Sequence, residues 1–225
     1  KHRRRQRQMC IRDRLKARQI IETKIPSWVN HKNLIFPKQL SMEQCSSEHT
    51  ASYKSKIFTG ESCIDITGGL GIDSFFISKS FKNTIHCEKD LELQFIAQQN
   101  FECLQAKVES NFTNGIEYLR HTNQIFDLIY IDPSRRNENN TKVVKLEQYT
   151  PNIIMHLNLL LEKGKQILVK TSPLLDIKQS IEQLPQLKEV HVIAVNNECK
   201  ELLFLINTNS GKKQTSITVS YTHLT

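Results

Sequence analysis

No stretch of this sequence is apolar for the ~20 residues that cross a bilayer, and the longest runs, such as Ile125 to Ile131, are interrupted by polar residues. A membrane span is therefore not expected. The six cysteines (Cys10, Cys45, Cys63, Cys87, Cys103 and Cys199) include no C-x-x-C pair and no Cys/His cluster at zinc spacing. No metal site is expected, and the thiols read as free in a reducing, cytoplasmic compartment, several of them as small hydrophobes inside apolar patterns. The basic N-terminal block is followed by no apolar h-region, which argues against a secretory signal. Internal repeats and low-complexity tracts are also lacking.

What is present suits one medium α/β domain: 225 residues, 38% of them hydrophobic, enough to bury a core and too few for a large multidomain machine. The formal charge of +8 is unevenly spread. Residues 1–14 (KHRRRQRQMCIRDR) hold seven Lys/Arg and one Asp, and the remainder carries 24 bases against 22 acids. The body is close to neutral, so the pI of 9.2 of the whole chain should not be read as a nucleic-acid footprint. The strings MCIRDR (Met9–Arg14) and VSYTHLT (Val219–Thr225) are similar to translated sequencing-adapter read-through at the ends of metagenomic gene fragments. Both ends are expected to be non-native, with residues 15–218 a piece of a longer protein. A basic arm that binds RNA is the competing reading.

Short apolar runs alternate with helical patterns from Cys63 onward, which predicts βαβ units and a parallel sheet. Strands are expected at 62–66, 84–88, 107–111, 126–131, 165–170, 189–195 and 201–207. Helices are expected at 70–80, 90–104, 114–121, 146–162 and 174–184. The helix over 146–162 places Leu146, Tyr149, Ile153, Leu157, Leu160 and Leu161 on one face and ends at Gly164. The last two strands are joined by only five or six residues, Asn196 to Glu201, too few for a parallel crossover, so an antiparallel hairpin is predicted. Parallel strands closed by such a hairpin resemble the Rossmann-like arrangement of class I methyltransferases rather than of dehydrogenases, and the expected fold is a seven-stranded, mostly parallel sheet with an antiparallel last strand. Upstream, Pro26 and Pro37 mark an extended stretch before a helical segment over 46–58. The domain reading is 1–14 basic end, 15–58 preceding segment, 59–210 core and 211–225 tail.

The strongest chemical signal is Cys63-Ile-Asp65-Ile-Thr-Gly68-Gly69-Leu-Gly71-Ile-Asp73, a strand entering a glycine-rich turn and then a helix. Glycines at 68, 69 and 71 allow the sharp turn and leave room for a ligand that a Cβ would otherwise fill. Asp65 discriminates between ligands, because a carboxylate there suits the cationic methionine end of S-adenosylmethionine and opposes a pyrophosphate. A dinucleotide motif read from Gly69 would need a third glycine where Ser74 stands. Glu88, 20 residues after Gly68 at the tip of the next strand, is the candidate acceptor for both ribose hydroxyls. Asp90 reads equally as a helix cap. Asn114 is either an adenine-facing residue beside Ile116 or, with Gly115, ordinary turn chemistry.

The fourth strand runs into Asp132-Pro133-Ser134-Arg135-Arg136. This end resembles the D/N-P-P-Y/F/W motif of methyltransferases acting on exocyclic amino groups of bases, where the acid and a proline-fixed carbonyl orient the amino nucleophile. Ser134 replaces the second proline and Arg135 the aromatic that stacks on a flipped base. Arg135 or Arg136 is expected to stack or to hold a phosphate.

Five segments carry a wider likeness: 24–54, DITGGLGIDSFF (65–76), YIDPSRR (130–136), LVKTSPLLDI (168–177) and VNNECKELL (195–203). Together they resemble the Bacteroidota family of class I methyltransferases that carry a THUMP-like C-terminal domain. The resemblance implies an S-adenosylmethionine-binding core and, through the THUMP association, an RNA substrate. It matches Gln44, Ser46, Ser47, Glu48 and Thr50 to the polar segment that often closes over the methionine carboxylate, making Ser47 and Thr50 cofactor candidates. It also covers Lys170-Thr171-Ser172-Pro173 without assigning a role, and a helix cap is the plain reading there. The functional expectation is an S-adenosylmethionine-dependent methyltransferase acting on a nucleobase in RNA. The rivals are a catalytically inactive cofactor- or RNA-binding Rossmann-like domain and a nicotinamide-dependent oxidoreductase.

Overall fold

The structure is a computed structural model that describes residues 18–37, 42, 45–134, 145–207 and 215–222. In chain order its strands are β1 (Gly60–Asp65), β2 (Phe81–Glu88), β3 (Val108–Phe112), β4 (Phe126–Ile131), β5 (Gly164–Thr171), β6 (Leu187–Val195), β7 (Glu198–Asn207) and β8 (Ser216–Thr222). The helices are α1 (Glu48–Ile57), α2 (Ile72–Ile77), α3 (Leu91–Cys103), α4 (Gly115–His121), α5 (Ile153–Lys163) and α6 (Ile177–Gln183), and residues 18–24 are also helical. Eight strands occur among the described residues, not the seven expected. The additional one, β8, falls in the segment 211–225, read as a tail outside the core. The chain divides into two compact units, Lys1–Thr59 with Gly68–Phe112, and Gly60–Thr67 with Thr113–Thr225.

In the first unit β2 and β3 pair in parallel, with Thr84 opposite Val108 and Glu88 opposite Phe112, and α3 lies against both strands. Asp90 starts α3 because its carboxylate accepts the otherwise orphaned N–H groups of Glu92 (2.9 Å) and Leu93 (3.1 Å). A hydrophobic core gathers Ile21, Ile25, Trp28, Leu34, Met42, Ala51, Leu70, Ile72, Phe76 and Ile96. The stretch around Pro26 is thus not simply extended: Pro26–Trp28 is a 3-10 turn that buries Trp28. Lys24 staples it by donating to the carbonyls of Met42 (3.1 Å) and Cys45 (3.0 Å).

In the second unit the order is β1-β4-β5-β7-β6-β8. β1, β4 and β5 are parallel, and β7 joins β5 antiparallel. Their central residues, including Ile64, Leu128, Ile129, Ile131, Ile167, Leu168, Val169, Leu203 and Phe204, are buried as near-continuous apolar runs, the pattern of strands covered on both faces. The β6–β7 hairpin is present and tighter than expected. Asn196 (φ 52°) and Asn197 (φ 62°) form a two-residue turn, the left-handed conformation that Asn tolerates and that matches strand twist.

The helix predicted over 146–162 is broken. A 3-10 turn covers Leu146–Gln148 and α5 begins only at Ile153, because Pro151 has no N–H and holds its predecessor extended. The apolar stripe survives the break, since Leu146, Tyr149, Ile153 and Leu160 are all buried. Asn152 caps α5 by accepting from the Met155 N–H (3.0 Å).

Candidate functional site

The glycine turn belongs to the first unit. Gly68 N–H donates to the Cys87 carbonyl (2.9 Å) and Gly71 N–H to the Gly68 carbonyl (2.8 Å), while Gly69 and Gly71 take φ of 54° and 75°. Side chains are costly in that region. A Cβ on Gly68 would run into the His86 imidazole, and one on Gly71 into the Phe101 ring. These two rings meet edge to face at 5.3 Å and form the seat of the turn. The expectation that a Cβ at Gly71 would intrude on ligand space is thereby corrected: at Gly68 and Gly71 the protein's own rings already exclude it. His86 is fully buried. Its Nδ1 lies 3.0 Å from Ser110 Oγ, its Nε2 has no partner among the described residues, and burial pushes its pKa down to about 4.

Glu88 closes the turn. Its Oε2 accepts from Gly69 N–H (2.8 Å) and its Oε1 from Asp90 N–H (2.8 Å). Each oxygen keeps a lone pair for a further donor. Ahead of the turn, Ser47 is the N-cap of α1, accepting from Thr50 N–H (3.3 Å), and the Thr50 hydroxyl donates back to the Ser47 carbonyl (3.2 Å). Glu48 accepts from Ser27 N–H (2.9 Å); Gln44 lies outside the described residues. Beside this cap is a network that sequence reasoning missed. Lys54 Nζ donates to Asp73 Oδ1 (2.8 Å) and to Ser46 Oγ (3.1 Å), and Ser46 donates to Asp73 Oδ2 (2.7 Å). Lys54 is 0% exposed. The available signal was its place one helical turn after Thr50 and Ala51 on the buried face of α1.

In the second unit Asp65 is buried, and its Oδ1 accepts from Thr67 N–H (3.0 Å) and more weakly from the Thr67 hydroxyl (3.4 Å). That hydroxyl in turn accepts from Asp132 N–H (2.7 Å), so Asp65 and Thr67 tie the carboxyl ends of β1 and β4. Asp132 itself, 31% exposed, receives Lys170 Nζ on Oδ2 (2.7 Å), and Lys170 lies 3.9 Å from the buried Glu201. A lysine between two carboxylates therefore stands at the ends of β4 and β5, which gives a place, though no assigned role, to the segment Lys170-Thr171-Ser172-Pro173. The plain reading of that segment shifts too. Ser172 Oγ accepts from Leu174 N–H (3.2 Å), but α6 is capped by Asp176, not by Ser172.

Pro133 is buried. Ser134 N–H donates to the Thr150 carbonyl (2.7 Å) and Thr150 N–H to the Ser134 carbonyl (3.0 Å). This bridge explains the departure from D-P-P, because a proline at 134 has no N–H to give. Arg135 and Arg136 lie outside the described residues. Asn114 is used as the cap of α4, with Oδ1 accepting from Ile116 N–H (2.9 Å) and Glu117 N–H (3.4 Å). Burial, then the charges of Asp65 and Asp127, push the Cys63 thiol up. That is an inert thiol rather than a nucleophile.

No protein-family model and no curated protein matches this sequence. Among solved structures, the chain is similar to a protein of Porphyromonas gingivalis W83 assigned as a methyltransferase, at 28% identity and a TM-score of 0.77, over 89% of this chain and 50% of that one. It is also similar to M. capricolum TrmK in complex with S-adenosyl-homocysteine, at 14% identity and a TM-score of 0.53, over 74% of this chain and 69% of that one. An rRNA methylase from Streptococcus thermophilus aligns at 10% identity and a TM-score of 0.50, over 71% and 95%. This chain spans about half the length of the Porphyromonas protein. With its parallel strands, closing antiparallel strands and glycine turn, the chain has the α/β, Rossmann-like fold of the class I methyltransferases.

Proposed function

We propose that residues 59–210 are the catalytic core of an S-adenosylmethionine-dependent methyltransferase that acts in the cytoplasm on a nucleobase in RNA, with 15–58 as the segment before it. The observation that carries this reading is the glycine turn whose Gly69 N–H is gripped by Glu88, an acid at the tip of the adjoining strand. Likeness to the Porphyromonas methyltransferase supports the activity. The rRNA methylase likeness and the resemblance to the THUMP-like-domain family support RNA as acceptor.

The residues present fit the cofactor. In the first unit, the remaining lone pairs of Glu88 would accept the ribose hydroxyls and the Gly68–Gly71 turn would border the adenosyl part. Also in the first unit, Ser47 at the amino-terminal end of α1 would take the methionine carboxylate, with Thr50 bracing it through their two hydrogen bonds; in the second unit, Asp65 would balance a cationic methionine end. With the Asn114 oxygen committed to its helix, only its amide N–H groups serve the adenine. When bound, S-adenosylmethionine supplies a methyl group on a positively charged sulfur. Asp132 uses Oδ1, the oxygen not given to Lys170, to accept a hydrogen bond from the acceptor amine, and the Pro133 carbonyl takes the second N–H. Both orient the nitrogen lone pair, and a neutral amine needs no prior loss of a proton. Arg135 and Arg136 hold the RNA backbone.

The test is transfer of labelled methyl from S-adenosylmethionine to total RNA. Asp132→Ala is expected to lower the rate by roughly a hundredfold or more with S-adenosylhomocysteine affinity nearly unchanged, and Asp132→Asn to retain more activity, since an amide oxygen still accepts. Wild-type transfer by Asp132→Ala would remove the amino-group mechanism. Cofactor binding without any transfer would favour the inactive-domain reading, and a melting response to NAD alone would favour the oxidoreductase.

A further inference from the structure

The Lys54–Asp73–Ser46 network is a buried ion pair, and burying charge is rarely the cheapest way to stabilise a helix contact. Two apolar side chains of the same volume would hold α1 to α2 at least as well. What apolar packing cannot do is fix a polar backbone segment in one register, which a directional network does. The network sits where such control matters. Asp73 is in the first turn of α2, two residues after Gly71, the last glycine of the turn. Ser46 immediately precedes the Ser47 cap and the first turn of α1. The hydroxyl of Ser46 joins the two directly, donating to Asp73 Oδ2 at 2.7 Å, while Lys54 accounts for the other Asp73 oxygen at 2.8 Å. Helices α1 and α2 pack on each other, so a shift of Asp73 is passed to the Ser46–Thr50 segment without an intervening loop.

Resting on the cofactor reading above, we propose that Lys54 and Asp73 are positioning residues for the methionine end of S-adenosylmethionine. They touch no ligand themselves. They hold Ser46, and through it the Ser47 cap and the first turn of α1, at the height at which Ser47 and the backbone N–H groups beside it meet the cofactor carboxylate, while Thr50, buried and donating to Ser47, braces the cap. The adenosine end is served by Glu88 and Gly69, which are fixed to each other by their own hydrogen bond (2.8 Å), Gly69 lying on the far side of the turn from Asp73 in sequence. The two ends of the ligand should therefore respond differently when it is broken.

The test compares two probes by titration calorimetry on the full 225-residue chain: S-adenosylhomocysteine, and 5′-methylthioadenosine, which lacks the amino-acid portion. Lys54→Met with Asp73→Leu removes the two charges of the pair together, so neither is left buried facing the other's vacancy. The expected result is a loss of tenfold or more in affinity for S-adenosylhomocysteine and a change below twofold for 5′-methylthioadenosine. Ser46→Ala, which keeps the ion pair and threatens the fold least, should show the same selective loss at about threefold. Asp73→Asn, which keeps one acceptor oxygen where Asp73 uses two, one for Lys54 and one for Ser46, should show a loss between those of Ser46→Ala and the double variant. Equal weakening of both probes, or no change in either, overturns the proposal. If the double variant does not fold, the Ser46→Ala comparison alone decides. A wild-type chain that binds neither probe refutes the cofactor reading itself, an outcome distinct from selective failure in the variants.

Discussion

His86 carries no charge at neutral pH, because its fully buried ring would have to be protonated without water, and its pKa falls from 6.5 to about 4. The unfolded chain binds that proton more readily. The residue's contribution is complete above pH 6.5 and is lost as the pH falls toward 4, by up to about 3 kcal/mol at 1.36 kcal/mol per unit. His86→Gln, which does not titrate, is expected to flatten the decline in melting temperature between pH 6.5 and 4 relative to wild type; parallel declines would show that the imidazole is not the titrating group. Individual residues were unevenly legible. Glu88, Asp132 and the three glycines announce themselves because strand ends and glycine turns are local patterns. Lys54 and Asp73 are 19 positions apart, and nothing in a single sequence says that a lysine and an aspartate on two helices will share a buried site. Lys170 stood in a matched segment, yet its partners, Asp132 just past β4 and Glu201 in β7, are brought to it only by the tertiary fold.

Elements were legible where their signals are short-range. Asp90, Asn114, Asn152 and Asp176 each stop or start a helix by accepting N–H groups two or three residues on, and strands β1 to β7 lie over the predicted runs. The failure at 146–162 came from weighing the 3.6-residue stripe above Pro151. The stripe is real but spans a break. The antiparallel bridge between Ser134 and Thr150 closes the segment that follows β4, and it yields a sharp expectation. Ser134→Pro, which would restore the D-P-P string, should destabilise the chain by about 0.5–1.5 kcal/mol, because the exposed Ser134–Thr150 bridge loses one of its two hydrogen bonds. Chemical denaturation measures it; a neutral or stabilising effect would mean that the bridge contributes nothing and that the serine is there for another reason.

Across the whole molecule the least legible feature is β8. Ile217, Val219 and Tyr221 alternate as strand residues do, but all three remain at least half exposed, so no buried face betrayed the strand. β8 pairs with β6 in parallel from Glu189 opposite Ser216 to Val195 opposite Thr222, while adding little apolar burial. Deleting residues 215–225 is therefore expected to lower the melting temperature by only a few degrees and to leave the S-adenosylhomocysteine response intact, while the bared edge of β6 raises light scattering at high concentration. Loss of cooperative melting would instead make β8 part of the core structure. The pairing of β1 with β4 has a different bearing, on the order in which the protein comes into being. Thr67 and the Asp132 N–H it receives are 65 residues apart, whereas β6 meets β7 across a two-residue turn. During synthesis β1 leaves the ribosome well before its partner exists, and its apolar Cys63-Ile64 pair must wait exposed. The most local pairing in the sheet is made late, near the carboxyl end, with only β8 still to follow. Premature association of β1 with another nascent chain is thus a hazard built into this topology, and the interval of risk is set by the speed of translation between β1 and β4.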